Sequence, residues 1–188
     1  MRTFVAVELD ESIQRGLAAL QNRLRQFDRA VRWVRPESIH LTIKFLGEVP
    51  DQQIAAVCAA VGEAAAASSG FQISMAGAGC FPPRGPARVV WAGLTEPTGR
   101  LAACQQACEE AMGRLGFAPE ARAFHPHLTL GRVKQASSGR DLRPAIEGLA
   151  DFGGGRQRVG ELVLFESQLR REGAIYVPLH RARLAGEP

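Results

Sequence analysis

A chain of 188 residues, 46% of them apolar, is long enough to bury one continuous core, so neither disulfide staples nor a structural metal is needed to hold it together. No apolar run approaches the length that crosses a bilayer, and the opening MRTFVAVELD is too short and too interrupted, by Glu8 and Asp10, for a secretory leader; the expectation is a cytoplasmic protein with no membrane partner. The net charge of +4 permits an anionic partner without requiring one, and its make-up is uneven: of 23 basic residues, all but Lys44 and Lys134 are arginine.

TFVAVELD reads as a β-strand, and Asp10 as the N-cap of a helix through ESIQRGLAALQNRLRQF, whose Ile13, Leu17, Leu20 and Leu24 recur at helical spacing. VRWV and IHLTIKFLG follow as extended segments. DQQIAAVCAAVGEAAAA is a second, alanine-rich helix closed by SSG, and FQISMAGAGCF starts another extended run. PPRGPA, with its prolines and glycine, joins that run to RVVWAGL as a long hairpin connection. A third helix covers about residues 98–115 and ends at Gly116. HLTLGRV is the next strand, and SGRDLRPAIEGLADF a weaker helix interrupted by Pro144. GGG then leads into VGELVLFESQL and AIYVPLHRARL, two closing strands joined by RREG. Strand, helix, strand, helix recurs in each half, and the alternation of apolar with polar positions predicts antiparallel sheets with one solvated face. Cys58, Cys80, Cys104 and Cys108 form no CxxC pair and are expected to be reduced and buried. Cys104 and Cys108 share a helical face but have no second ligand pair for zinc.

Two segments, HLTIKFLG at 40–47 and FHPHLTLGR at 124–132, share the order His-Leu-Thr-aliphatic at an offset of 87 residues between His40 and His127. Side chains at i and i+2 of a strand share a face, so His40 projects with Thr42 and His127 with Thr129, while Leu41, Ile43, Leu128 and Leu130 turn to the core. An imidazole beside a hydroxyl suits phosphate chemistry: one moves a proton near neutral pH, the other donates to a nonbridging oxygen. One such unit is a weak signal, since a lone strand histidine is more often structural. Two matching units supply an acid and a base.

WVRPESIHLTIKFLG and FHPHLTLGR closely resemble the two signature segments of the two-histidine phosphoesterases, specifically the RNA 2',3'-cyclic phosphodiesterases once called 2'-5' RNA ligases. The resemblance runs end to end: TFVAVELD is similar to the family's first strand, ARVVWAGL to its middle strand and LVLFESQLRREGAIYVPL to its closing hairpin. It implies an α+β fold, a single bilobal catalytic domain over residues 1–188, with two antiparallel sheets, helices packed outside, and pseudo-twofold duplicated lobes around a V-shaped cleft. It also implies hydrolysis of a terminal 2',3'-cyclic phosphate on RNA or an oligonucleotide to a 2'-phosphate, with no metal and no cofactor. Joining of RNA ends through a 2'-5' bond in vitro is known in the family. The expected form is a monomer. The resemblance assigns His127 as base and His40 as acid, although the sequence is nearly symmetric about that choice, and makes Thr42 and Thr129 the holders of the nonbridging oxygens.

It also places Phe45 and Arg132, each five residues past its histidine, at substrate-contacting positions, an aromatic for a base and a guanidinium for phosphate. Strict alternation objects, because an odd offset points to the opposite face. Gly131 offers Arg132 a way out through a bulge or a strand end; Phe45 has no such neighbour and reads as core. Lys44, by alternation, continues the face of His40 and Thr42 and would add charge to the cleft, or else is a solvated strand lysine. Arg35 reads as a cleft-edge or plain surface residue, Trp33 and Trp91 as packing residues, Tyr176 stays undecided, and Ser167 has no catalytic need. His125 shares the face of His127 by alternation and is open to a supporting role. Two other readings compete: a noncatalytic RNA-end or nucleotide-binding module, and a metallohydrolase using His40, His125 and His127.

Overall fold

Strand β1 (Arg2–Glu8) ends where the Asp10 carboxylate accepts the Ile13 backbone N–H at 3.0 Å and starts helix α1 (Glu11–Arg23) in the computed structural model, which describes residues 1–135, 142–170 and 173–186. The helix then buries Ile13, Leu17 and Leu20 along one stripe, each contributing about 1.5–3 kcal/mol of burial. The chain continues through β2 (Val31–Trp33), β3 (His40–Glu48), α2 (Ile54–Ala66), β4 (Phe71–Phe81), β5 (Val89–Thr95) and α3 (Arg100–Arg114). It ends with β6 (His127–Val133), α4 (Leu142–Glu147), β7 (Gly153–Val159), β8 (Glu161–Arg170) and β9 (Gly173–Arg183). The start of the expected fourth helix at 138–141, and Arg171 and Glu172 of the RREG turn, lie outside the described residues. Among the described residues no helix is long and apolar enough to cross a membrane.

The architecture is α+β, with two antiparallel sheets in the orders β3-β1-β8-β9 and β2-β6-β5-β4-β7. Set β2 aside and the sheets correspond: the histidine strand β3 lies beside β1 as β6 lies beside β5. Neither sheet follows one half of the sequence, because β8 and β9 come from the end of the chain to complete the first. The helices cross as well. α1, which follows β1 in the chain, packs on β7 of the other sheet, and α3, which connects β5 to β6, packs against β3 and α2. Gln157 on β7 ties the two together, accepting from the Asp10 N–H at 2.9 Å and donating to the Glu8 carbonyl at 2.6 Å.

Two elements differ from the expectation. GGGRQRV is a strand, although glycine weakens strands and the sequence reads it as a connector. Two of its glycines lie against α1: a Cβ on Gly154 would stand 3.1 Å from Gly16 Cα and 2.4 Å from Met75 Cε of β4, and Gly155, at φ +75°, lies against the Ser12 carbonyl. The second is β1, which is buried from Thr3 to Val7 rather than on alternate positions. One of its faces meets the main core. The other carries Phe4 and Ala6, which join Val163 and Phe165 in a separate apolar cluster with Tyr176 against it.

β2 seals the outer side of β6, and it comes so close that a Cβ on Gly131 would lie 2.7 Å from Val31 Cγ1, 2.9 Å from the Arg32 carbonyl oxygen and 2.9 Å from the Trp33 ring. Gly131→Ala is expected to cost about 1–3 kcal/mol by forcing β2 outward, as overpacking does. Gly113→Ala on α3, where nothing lies within 4 Å, is expected to be neutral or stabilising. Urea unfolding of the two variants against the parent measures both; equal stability of the two variants contradicts the tight β2–β6 packing.

Candidate active site

Both histidine strands carry an extra residue at the same place, and β3 has a second one, Leu46, nearer its end. Ala6 pairs with Thr42 and Val5 with Lys44, so Ile43 is the extra residue of β3 at that place; Trp91 pairs with Thr129 and Val90 with Gly131, so Leu130 is the extra residue of β6. Each is a β-bulge three residues past its histidine, and it puts two successive side chains on one side before alternation resumes. His-x-Thr up to that point behaves as alternation requires, with Leu41 and Leu128 fully buried opposite. Beyond it the faces invert.

The inversion decides three expected residues. Arg132 is exposed and lines the cleft between the sheets, the bulge at Leu130 and Gly131 having re-aimed it as the glycine allowed. Phe45 is 64% exposed and lines the same cleft, which corrects its reading as core; the bulge does for it what no glycine announced. Lys44 is corrected in the other direction. It is 5% exposed and turned away from the cleft, with Nζ donating to Glu109 Oε2 of α3 at 2.6 Å and to the Ala118 carbonyl at 3.0 Å. Glu109 also accepts from the Glu120 N–H at 3.3 Å, so the pair links the bulge of β3 to the segment that carries Arg122. Lys44 is therefore neither a cleft cation nor a solvated lysine, and removing its ammonium would strand a largely buried carboxylate.

The cleft, about 540 Å³, gathers His40, Thr42, Phe45, His127, Thr129 and Arg132 from the two sheets. Its walls also hold Arg2 and Arg122, with no aspartate or glutamate lining it among the described residues, so the potential of that lining favours an anion. Neither arginine stands out in the sequence: Arg122 lies in a loop with no motif, and Arg2 at the strand's first position. Tyr176 and Ser167 line the cleft too.

Each imidazole is oriented by the backbone two residues before it. His127 Nδ1 lies 2.7 Å from the His125 carbonyl oxygen; a carbonyl only accepts, so Nδ1 carries the hydrogen and Nε2 is left for the cleft. The support that His125 gives is thus its carbonyl, and its own ring is exposed. His40 hydrogen-bonds to the backbone of Ser38. The surroundings differ. His40 stacks on Phe4 at 4.5 Å between centroids and meets the edge of Tyr176 at 4.8 Å, over the apolar cluster that includes Phe165. His127 meets the edge of Phe81 at 5.2 Å, with Trp91 at 6.3 Å. Trp91 packs as expected, flat across Gly79 of the neighbouring strand. Burial holds His40 well below the usual histidine range, at about 4, against the opposing pull of the Ser38 hydrogen bond.

Among the described residues no three or more of His, Cys, Asp and Glu are grouped to hold a metal ion, and Cys104 and Cys108 are buried, unpaired thiols on α3.

The family described as LigT-like phosphoesterase matches the chain twice, over residues 7–91 and 93–176, one histidine strand in each match. The chain is 35% identical over 184 residues to a protein of Methanothermobacter thermautotrophicus named RNA 2',3'-cyclic phosphodiesterase, covering 98% of this chain and 99% of that one. A Thermotoga maritima protein of the same name is 30% identical, covering 99% and 97%. Among solved structures, a Thermus thermophilus protein superimposes with a TM-score of 0.85 at 28% identity over 100% of both chains. Escherichia coli LigT complexed with 3'-AMP gives 0.77 at 28% identity over 98% of both.

The low value at His40 has a consequence for stability. The unfolded chain binds a proton near pH 6.5 and the folded one only near pH 4, so stability is fully present above about 6.5 and falls as pH drops through that window, by on the order of 3 kcal/mol. His40→Phe, which keeps the aromatic stack, is expected to lose that part of the slope. Chemical unfolding of parent and variant at pH 7 and pH 4.5 measures it; an identical pH dependence contradicts the buried neutral ring.

Proposed function

The chain belongs to the LigT-like phosphoesterase family, and from that we infer that it is an RNA 2',3'-cyclic phosphodiesterase, a hydrolase that opens a terminal 2',3'-cyclic phosphate to a 2'-phosphate. Residues 1–188 act as one bilobal catalytic domain. The observation that carries the residue assignments is the pair of His-x-Thr strands, one from each sheet, lining one cleft whose charged lining residues, among those described, are all arginines.

In-line attack at phosphorus needs a base on one side and an acid on the other, which two imidazoles on facing walls supply. His127, neutral with its hydrogen fixed on Nδ1, accepts the proton of water at Nε2. Water attacks phosphorus, the bond to the 3' oxygen breaks, and His40 gives that oxygen a proton. His40 is neutral in the empty cleft, and the anionic substrate supplies the counter-charge with which it takes up its proton. A proton held over an aromatic floor is readily surrendered to an alkoxide. Thr42 and Thr129 donate to the nonbridging oxygens, Arg132 holds the phosphate, and Phe45 stacks on the terminal base. A 5' hydroxyl in place of water would give a 2'-5' bond through the same steps. The protein works as a monomer in the cytoplasm, on RNA ends.

The test is turnover of a nucleoside 2',3'-cyclic phosphate in excess chelator, with the 2'-phosphate as product. His40→Ala and His127→Ala are each expected to lose about 10²–10⁴ in rate. Replacing the bridging 3' oxygen by sulfur, whose thiolate departs without a proton, is expected to restore His40→Ala and not His127→Ala. Affinity without turnover sinks the hydrolase reading, loss of activity with chelator sinks the metal-free one, and rescue of His127→Ala instead reverses the roles.

A further inference from the structure

A second cavity, about 520 Å³, opens beside the cleft. The two meet at Ser38, Ile39, His40, Ala174 and Tyr176, so His40 stands in the wall between them. Phe45, Thr42, His127 and Thr129 line the cleft alone; Arg35, Glu37 and Ile175 line the second cavity alone. Nothing in the phosphodiester chemistry uses this space, yet it is as large as the cleft and within the usual range of about 300–1,000 Å³ for ligand sites.

The shape of the substrate says what belongs there. In a ribose bearing a 2',3'-cyclic phosphate, the base leaves the ring at C1' and the 5' chain at C4', the two carbons that flank the C2'–C3' edge. With the phosphate between the histidines and the base against Phe45, the 5' chain departs on the opposite side of that edge. We propose that the second cavity is the subsite for the preceding nucleotide, and that the preferred substrate is an RNA end of at least two nucleotides; this rests on the phosphodiesterase reading and on Phe45 as the base platform.

The lining fits a nucleotide. Arg35 is exposed and has no ion pair among the described residues, which leaves its guanidinium for the internucleotide phosphate. Ile175, 43% exposed although large and apolar, offers its flank to a base face. Glu37, also exposed and unpaired among the described residues, accepts from a base amine or a ribose hydroxyl. The remaining carboxylate, Glu8, is held by Arg181 at 2.6 Å, which limits its repulsion of the phosphate.

The experiment compares kcat/KM for a nucleoside 2',3'-cyclic phosphate and for a dinucleotide ending in the same group, in the parent, Arg35→Gln and Ile175→Ser. The parent is expected to favour the dinucleotide by about tenfold or more. Each variant should remove most of that preference, through KM, and leave the mononucleotide rate unchanged, which also shows that it is folded. Equal kcat/KM on both substrates in the parent, or a preference that both variants keep, overturns the subsite and leaves the hydrolase standing. A parent that turns over neither substrate overturns the hydrolase reading and the subsite with it.

Discussion

The extra residue after each His-x-Thr is the constraint on which the rest of the cleft depends. A regular strand would place Lys44 beside Thr42 in the cleft and bury Phe45, and would do the same at Gly131 and Arg132. The residue inserted at that place in each strand reverses both pairs, so that the second residue past it, Phe45 on one sheet and Arg132 on the other, returns to the substrate side. The surrounding structure is arranged to satisfy what the bulges disturb. The Leu130 carbonyl, in the bulge of β6, accepts from the Val34 N–H at 2.8 Å and from the Gln21 side chain of α1 at 3.1 Å. A buried carbonyl left without partners there would cost about 1–3 kcal/mol, enough to favour a return to regular pairing.

The residue inside each bulge shows how the two sheets have diverged around a shared plan. Beside β6 runs β2, near enough that only glycine fits at 131. Outside β3 no strand is paired among the described residues, and that side is closed instead by α3, with Lys44 reaching Glu109 and Ala118. The same backbone irregularity is thus braced by a strand in one lobe and by a buried ion pair in the other. Because α3 comes from the segment between β5 and β6, that brace also fixes the position of one sheet against the other.

Much of this was legible in the sequence. Helix α1, its Asp10 cap and the shared face of His40 with Thr42 follow from periodicity and side-chain chemistry, which are local. The matching segments at 40–47 and 124–132 announced the duplication. What could not be read depends on contacts between distant segments. GGGRQRV becomes a strand because α1 needs small residues beneath it, and nothing within those seven residues says so. Strict alternation misplaced Lys44 and Phe45, because the bulge at Ile43 has no glycine beside it and so no local signature, whereas Gly131 gave one for Arg132. Arg2 and Arg122 reach the cleft only through the sheet order and the loop that Glu109 holds.

A cleft made of two similar halves could receive a symmetric ligand either way round, but a nucleotide end is not symmetric about its phosphate, because it carries a base as well as a chain. The asymmetry needed to orient it comes from the side chains that the bulges present, since the two histidine-threonine pairs are alike. Phe45 offers a π face, which suits any base; Arg132 offers a planar fork of donors, which suits phosphate and does little for a base face by comparison. The ring environments follow the same polarity. His40, on the Phe45 side, lies over Phe4, Tyr176 and Phe165, whereas His127, on the Arg132 side, rests against Phe81 with its Nδ1 tied to a carbonyl. The histidine that stands beside the base platform is therefore the desolvated one, and two rings from nearly identical sequence motifs meet different surroundings on the faces on which they lie.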